Sequence, residues 1–348
     1  MRALVRYGRN PGEFDVQEVA DPVPGPDEVV LKVAACGVCG SDLEMYRHPM
    51  RSDRGLPMIP GHEFSGEIVA VGSQVTGWKV GDRVTCETAA ITCGECVLCR
   101  TGHYNLCPQR IAYGFQLDGA FAEYIVTKTH RLHRIPEGVP TWYGALTEPA
   151  AVAYNAVGVH SRIEPGDFVV VLGTGCIGLM ALQVALLHGA EVLLVGISGD
   201  ERRLEAGQQL GAHWTAKSDQ DPIAEIVRER TDGLGAALVV DAVGGVAETV
   251  NLATQLVRPL GQITKIGWFR GEQPLRLDAL LRKTARIQGC FSHNWPSWER
   301  VLKLMATGRI QVEPMVSHRL PLEAWKIGYE ASITREAVKA AIFPNGLP

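Results

Sequence analysis

Cys93, Cys96, Cys99 and Cys107 carry the most specific chemical signal in this 348-residue chain, with the spacing C-x2-C-x2-C-x7-C. Two-residue gaps let neighbouring thiolates converge on one tetrahedral ion at about 2.3 Å, as in a structural zinc site. An iron–sulfur cluster also takes thiolates at such gaps, but ferredoxin-type patterns place the fourth ligand differently. Free thiols on an open loop would be a chemical liability. The expectation is a closed metal site that holds a loop and performs no chemistry. Outside this lobe, Cys39, His62 and Glu63, with Glu148 much later beside Pro149, offer one soft ligand, one imidazole and two carboxylates. Their gaps are too wide for spacing alone to join them.

A third signal is Gly173-Thr174-Gly175-Cys176-Ile177-Gly178, a G-x-G-x-x-G run between the apolar stretch Phe168–Leu172 and an apolar helical pattern. In that context Gly173 and Gly175 give the tight turn and close approach to a pyrophosphate, and Gly178 lets helix pack on strand. Backbone N–H groups at Cys176 and Ile177 then face the phosphates. An acidic residue about 20 positions on would bind the ribose of NAD. Ser198 falls at that position instead, with Arg202 and Arg203 nearby, which favours the 2′-phosphate of NADP; a one-residue shift would bring Asp200 to the ribose and favour NAD.

These residues need elements to position them. Short β-prone runs at Glu28–Val33, Ser65–Val71, Arg83–Cys86 and Ala122–Val126, punctuated by Gly and Pro, predict a mainly β N-terminal half. From about residue 160, Phe168–Leu172, Glu191–Ile197, Ala237–Asp241, Gln262–Ile266 and Arg286–Cys290 alternate with helical stretches such as Glu201–Leu210 and Val246–Val257. That alternation predicts an α/β doubly wound parallel sheet. The tail holds a predicted helix at Trp298–Ala306 and a strand at Ala337–Phe343, and its pattern does not assign it to either half.

A net charge of −4 and the lack of a Lys/Arg run interleaved with aromatics argue against nucleic-acid binding. No apolar stretch approaches the 18 residues of a membrane span, and residues 1–7 read as a strand and not as an export signal, so a cytoplasmic protein is expected. Nine cysteines without such a signal fit metal better than disulfides.

The runs Cys36-Gly37-Val38-Cys39-Gly40-Ser41-Asp42, Gly61-His62-Glu63-Phe64-Ser65-Gly66-Glu67 and Val80-Gly81-Asp82-Arg83-Val84, with the cysteine lobe and the glycine turn, resemble the zinc-containing medium-chain alcohol dehydrogenases over nearly the whole chain. Within them the likeness is to the polyol branch of sorbitol and L-iditol dehydrogenases, with threonine dehydrogenases as relatives. The resemblance implies a GroES-like catalytic domain over 1–150 with its zinc lobe at 93–107, a Rossmann cofactor domain over 151–285, and a return segment 286–348 completing the catalytic domain.

It further implies a catalytic zinc on Cys39, His62 and Glu63, with Glu148 binding directly or through water, and a second, structural zinc on the lobe. Asp42 would accept the spare N–H of His62 and fix its tautomer, while Cys36 is read as core. Ser41 matches a hydroxyl that carries the substrate proton away, and its place before Asp42 also suits a helix N-cap. Many relatives continue that relay with a histidine three residues on, where this chain has Glu44 and, farther along, His48. The implied activity is reversible oxidation of a secondary alcohol of a polyol, cyclitol or sugar-like molecule by a homo-oligomer, tetramer before dimer. Threonine or aldose oxidation, a zinc-free reductase and a non-catalytic binding protein are the competing readings.

Overall fold

The strand Glu28–Gly37 is the hub of the N-terminal half, pairing antiparallel with Glu63–Val71 on one side and with Tyr124–Lys128 on the other. Val29, Leu31, Val33 and Ala35 are buried on one face of it, and Val30 and Cys36 are buried on the other, where Lys32 is exposed, so both faces are largely covered. The full sheet runs Val316–Pro321, Lys339–Phe343, Glu28–Gly37, Glu63–Val71, Arg83–Cys86, Leu132–Arg134 in spatial order, with Tyr124–Lys128 on the hub. Two of its seven strands therefore come from the tail. Phe64, Ile68, Phe121 and Tyr329 fill the core beneath it.

The second sheet is wholly parallel, in the order Trp214–Lys217, Glu191–Gly196, Phe168–Leu172, Ala236–Asp241, Val257–Lys265, Arg286–Gly289. Every residue of Phe168–Leu172 is buried, as a central strand of a parallel sheet requires. Cys176–Leu187, Glu201–Gln209 and Glu248–Leu256 are helices between the strands, at or near the bounds read from the sequence. The strand expected at Gln262–Ile266 begins earlier, at Val257. Pairing carries the strand through Pro259 and Gly261 in an irregularity opposite Ala236–Leu238, with Leu260 at φ 60°.

This is a computed structural model, and it describes residues 1–49, 55–269 and 271–348. It divides into two units, one of residues 1–148, 294–307 and 316–348, the other of 149–293 and 308–315. The second unit runs past the expected division at 285/286: Arg286–Gly289 pairs in parallel with Val257–Lys265, satisfying that strand's outer N–H and C=O groups. The segment 308–315 also belongs to the second unit, so the return to the first is interrupted. Among the described residues no helix is long and apolar enough to cross a membrane.

Candidate functional site

Cys39, His62 and Glu63 are brought together, with ligand atoms within 4.8 Å of one another. Cys39 caps the helix Gly40–Arg47, while His62 and Glu63 stand at the start of Glu63–Val71, 4% and 1% exposed. One thiol, one imidazole and one carboxylate sharing so small a buried space is a donor set suited to zinc. Burial works against a charge on His62, yet Cys39, with Asp42 and Glu148, outweighs it and holds the imidazole protonated to about 10. A divalent cation would take over the charge of that proton and release it.

Asp42 lies below, fully buried, and burial pushes its carboxyl up to about 6 against the pull of His62. Its Oδ2 accepts the Cys39 N–H at 2.8 Å, and its Oδ1 lies 3.8 Å from His62 Nδ1, short of a direct hydrogen bond. Ser41 is not the helix cap that its position suggests: the cap is Cys39, two residues earlier, and the Ser41 hydroxyl is buried with no hydrogen bond among the described residues. Cys36 is fully buried, and burial raises its thiol well above the ordinary range, as a core residue and not a ligand. Glu44 is exposed and sits 3.7 Å from His48, the residue that ends that helix.

Glu148 does not join the three. It is buried, but its carboxylate lies outside their 4.8 Å cluster, and Oε1 accepts from Thr88 Oγ1 at 3.3 Å. The carboxylate therefore stands beside the Thr88 hydroxyl and apart from the three clustered ligand atoms.

Three groups at this site escaped the sequence reading. Lys339, 4% exposed at the start of Lys339–Phe343, donates to Glu63 Oε2 and to Val38 O at 2.9 Å. Such a buried ammonium is sustained only by a charged partner. Gly37 makes the pairing possible, since a Cβ there would fall 2.2 Å from Glu63 Oε2 and 3.0 Å from the Lys339 Cε. A lysine heading an otherwise apolar strand was the available signal. Phe115 packs on His62 with ring centroids 4.9 Å apart, and nothing in its sequence context announces it.

The four lobe cysteines also converge, with all sulfurs within 4.8 Å. Four tetrahedral bonds of about 2.3 Å set sulfurs roughly 3.8 Å apart; Cys93 stands 3.8 Å from Cys99 and 3.6 Å from Cys107. Backbone N–H groups of Cys96 and Glu95 pull the Cys93 thiol down to about 6. The lobe is anchored by buried polar groups that the sequence did not single out. Tyr104 donates to Glu87 at 2.7 Å, Arg131 donates to Thr92 at 2.9 Å, and His133 is held between Glu87 at 3.1 Å and Glu299 at 2.6 Å. Trp295, which opens the helix Trp295–Ala306, covers His133 with ring centroids 3.9 Å apart.

In the second unit the glycine run forms the expected turn. Gly173 has φ +102°, and a Cβ on Gly178 would lie 1.9 Å from Gly173 O, so helix and strand meet at a distance only glycine allows. Gly175 caps the helix Cys176–Leu187 with open space beside it and no side-chain cap, which leaves backbone donors facing outward for an anion. Asp200 does not reach the exposed end of the strand: it is 6% exposed, its Oδ2 accepts the Ile197 N–H at 3.1 Å, and Arg203 stands 3.8 Å from its Oδ1. Ser198 and Arg202 are exposed there. The Ser198 N–H donates to Asp219 Oδ1 at 2.9 Å, and its hydroxyl accepts from Gln220 at 2.7 Å.

Residues 25–137 match the model of the alcohol dehydrogenase GroES-like domain, and residues 176–307 that of the zinc-binding dehydrogenases. The chain is 38% identical to the sorbitol dehydrogenase of Halalkalibacterium halodurans over 99% of both proteins. It is 32% identical to the L-threonine 3-dehydrogenase of Pyrococcus horikoshii over 92% of this chain and 90% of that one. Galactitol-1-phosphate dehydrogenase from Escherichia coli superposes with a TM-score of 0.88 at 30% identity, covering 99% of this chain and 100% of that one. Matched by both family models and 38% identical to a sorbitol dehydrogenase over nearly its whole length, the chain belongs to the zinc-dependent medium-chain alcohol dehydrogenases and is an oxidoreductase.

Proposed function

We propose that the protein oxidises a secondary hydroxyl of a polyol, cyclitol or sugar-like substrate reversibly to a ketone, passing a hydride to a nicotinamide nucleotide. The observation that carries this reading is the convergence of Cys39, His62 and Glu63 in one buried cluster, the donor set for a catalytic zinc. When bound, zinc supplies Lewis acidity that makes a nearby hydroxyl more acidic. The carbinol carbon loses a hydride to C4 of the nicotinamide, its hydroxyl loses a proton, and the products are ketone, reduced nucleotide and one proton. The sorbitol and galactitol-1-phosphate relatives favour a polyol over threonine, as does Ser41 with Glu44 where threonine enzymes usually carry Thr and His.

Within this reading Ser41 relays the hydroxyl proton: its buried oxygen, which has no hydrogen bond among the described residues, accepts that proton as its own hydroxyl proton passes on towards solvent. Glu148 acts from outside the ligand set, through water, with Thr88 orienting it. Cys93, Cys96, Cys99 and Cys107 hold a second, structural zinc. Gly173, Gly175, Cys176, Ile177 and Gly178 cradle the pyrophosphate, and NADP is preferred to NAD because Asp200 is turned inward while Ser198 and Arg202 are exposed. Asp219, bonded to the Ser198 N–H, must yield to the 2′-phosphate. The open edge strand Arg286–Gly289, with Ile287 42% exposed, suits a homo-oligomer contact.

The test is a panel of polyols, polyol phosphates, cyclitols, aldoses and threonine, each with NAD and NADP, after zinc quantification. Turnover of a polyol class with two zinc ions per chain is expected; threonine as the best substrate would overturn the polyol assignment. Replacing Ser41 with Ala should lower kcat about 10²-fold near neutral pH, with the gap closing in alkaline buffer as solvent base takes the proton. Wild-type kcat at every pH would remove Ser41 from the proton path.

A further inference from the structure

Asp42 Oδ1, His62 Nδ1 and the hydroxyl oxygen of Tyr329, like Ser41 Oγ, are buried and have no hydrogen-bond partner among the described residues. More than nine in ten such groups are satisfied in folded proteins, and each left open costs about 1–3 kcal/mol. Tyr329 comes from the tail helix Trp325–Ile333, some 290 positions along the chain from Asp42, and is fully buried. Beyond burial itself, the groups acting on its phenol are Asp42, Cys36, Cys39 and Tyr46, and together they push its pKa well above the ordinary range. The hydroxyl therefore keeps its proton and is a donor.

The ring cannot swing away. Trp325, Tyr46 and Phe121 pack on it with centroids 5.2, 5.6 and 6.0 Å distant, the first two edge-on. Tyr46 lies on the same helix as Asp42, so this cluster fixes the helix Gly40–Arg47 and Tyr329 against each other. Asp42 has committed one oxygen to the Cys39 N–H at 2.8 Å and leaves the other open, 3.8 Å from His62 Nδ1. A carboxylate held by one oxygen alone can still rotate, and a second donor would stop it.

We infer that Tyr329 is a positioning residue of the metal centre: in the metal-loaded protein its hydroxyl donates to the open oxygen of Asp42 and holds that carboxylate where it receives the Nδ1–H of His62. The inference rests on the reading of Cys39, His62 and Glu63 as metal ligands. Partners of this kind behind a ligand histidine typically alter metal affinity about 10–100-fold. The packing role of the ring is separate from the hydrogen-bonding role of the hydroxyl, and Tyr329→Phe removes only the latter.

The experiment compares zinc-loaded wild type and Tyr329→Phe for zinc release to a chelator, melting temperature, and kcat against KM. The expected result is release from the Cys39 site at least about tenfold faster, with the cysteine-lobe zinc retained as an internal control. If the hydroxyl is only an unsatisfied buried group, its removal will raise the melting temperature and leave zinc release unchanged, which overturns the inference. Asp42→Asn and the double variant form a second arm: zinc loss no greater in the double variant than in Asp42→Asn supports action through Asp42, and additive losses refute it. Wild type holding zinc only at the lobe would instead overturn the metal reading itself, so the two failures are distinguishable.

Discussion

Replacing Cys39 with Ala is expected to give a folded protein with one zinc ion per chain and turnover reduced at least about 10³-fold. Cys39 supplies the one soft ligand of the buried cluster; His62 and Glu63 remain, and Lys339 already competes for Glu63. Lewis-acid stabilisation is worth several kcal/mol of barrier, and each 1.4 kcal/mol is about tenfold in rate, so loss of the ion alone accounts for about three decades. Fold stability should change little, because Cys39 is half-buried at a helix cap and its backbone N–H still donates to Asp42. Elemental analysis with kcat/KM on the same preparation checks this. Two zinc ions and wild-type turnover in the variant would refute the catalytic site.

The second large effect falls on stability. Cys93→Ser should release the lobe zinc, leave the other in place, and lower the melting temperature by about 10 °C or more. Structural zinc binding is worth roughly 10–16 kcal/mol in small domains, and forfeiting even about 4 kcal/mol shifts melting by roughly 8–16 °C in a domain of 150–250 residues. Cys93 is the central loss, since it neighbours both Cys99 and Cys107 and accepts the Cys96 N–H. Tyr104, Arg131 and Thr92 tie the lobe to Glu87 and to the strand Leu132–Arg134, so loosening it should also reach Glu87 and the adjacent Thr88 that holds Glu148. Differential scanning calorimetry with zinc counting measures both parts. Unchanged melting with one zinc lost would mean that the lobe carries no structural load.

Local pattern was enough to read several features. Phe168–Leu172 was legible because five consecutive apolar residues before a glycine turn leave little but a buried parallel strand. The cysteine lobe was legible because its ligands lie within fifteen residues, so spacing nearly dictates geometry. Boundaries fared worse where irregular pairing extended a strand, as at Val257–Lys265, and where a strand's partner lay across the expected division, as at Arg286–Gly289.

The sequence by itself determined the class of sheet, the glycine turn, the four-sulfur site and, through resemblance, which thiol and imidazole belong together. Only the tertiary structure decided that the Glu148 carboxylate lies beside Thr88, that Asp200 turns inward, and that the tail supplies Lys339 to Glu63 and packs Tyr329 on Tyr46 of the helix that carries Asp42. The division follows from range. A turn or a clustered metal loop is fixed by neighbours a few bonds away, whereas a buried charge finds its partner wherever the sheet brings one, 276 positions distant for Glu63 and Lys339. Burial then makes such pairing compulsory, because neither group can stay ionised in the interior alone.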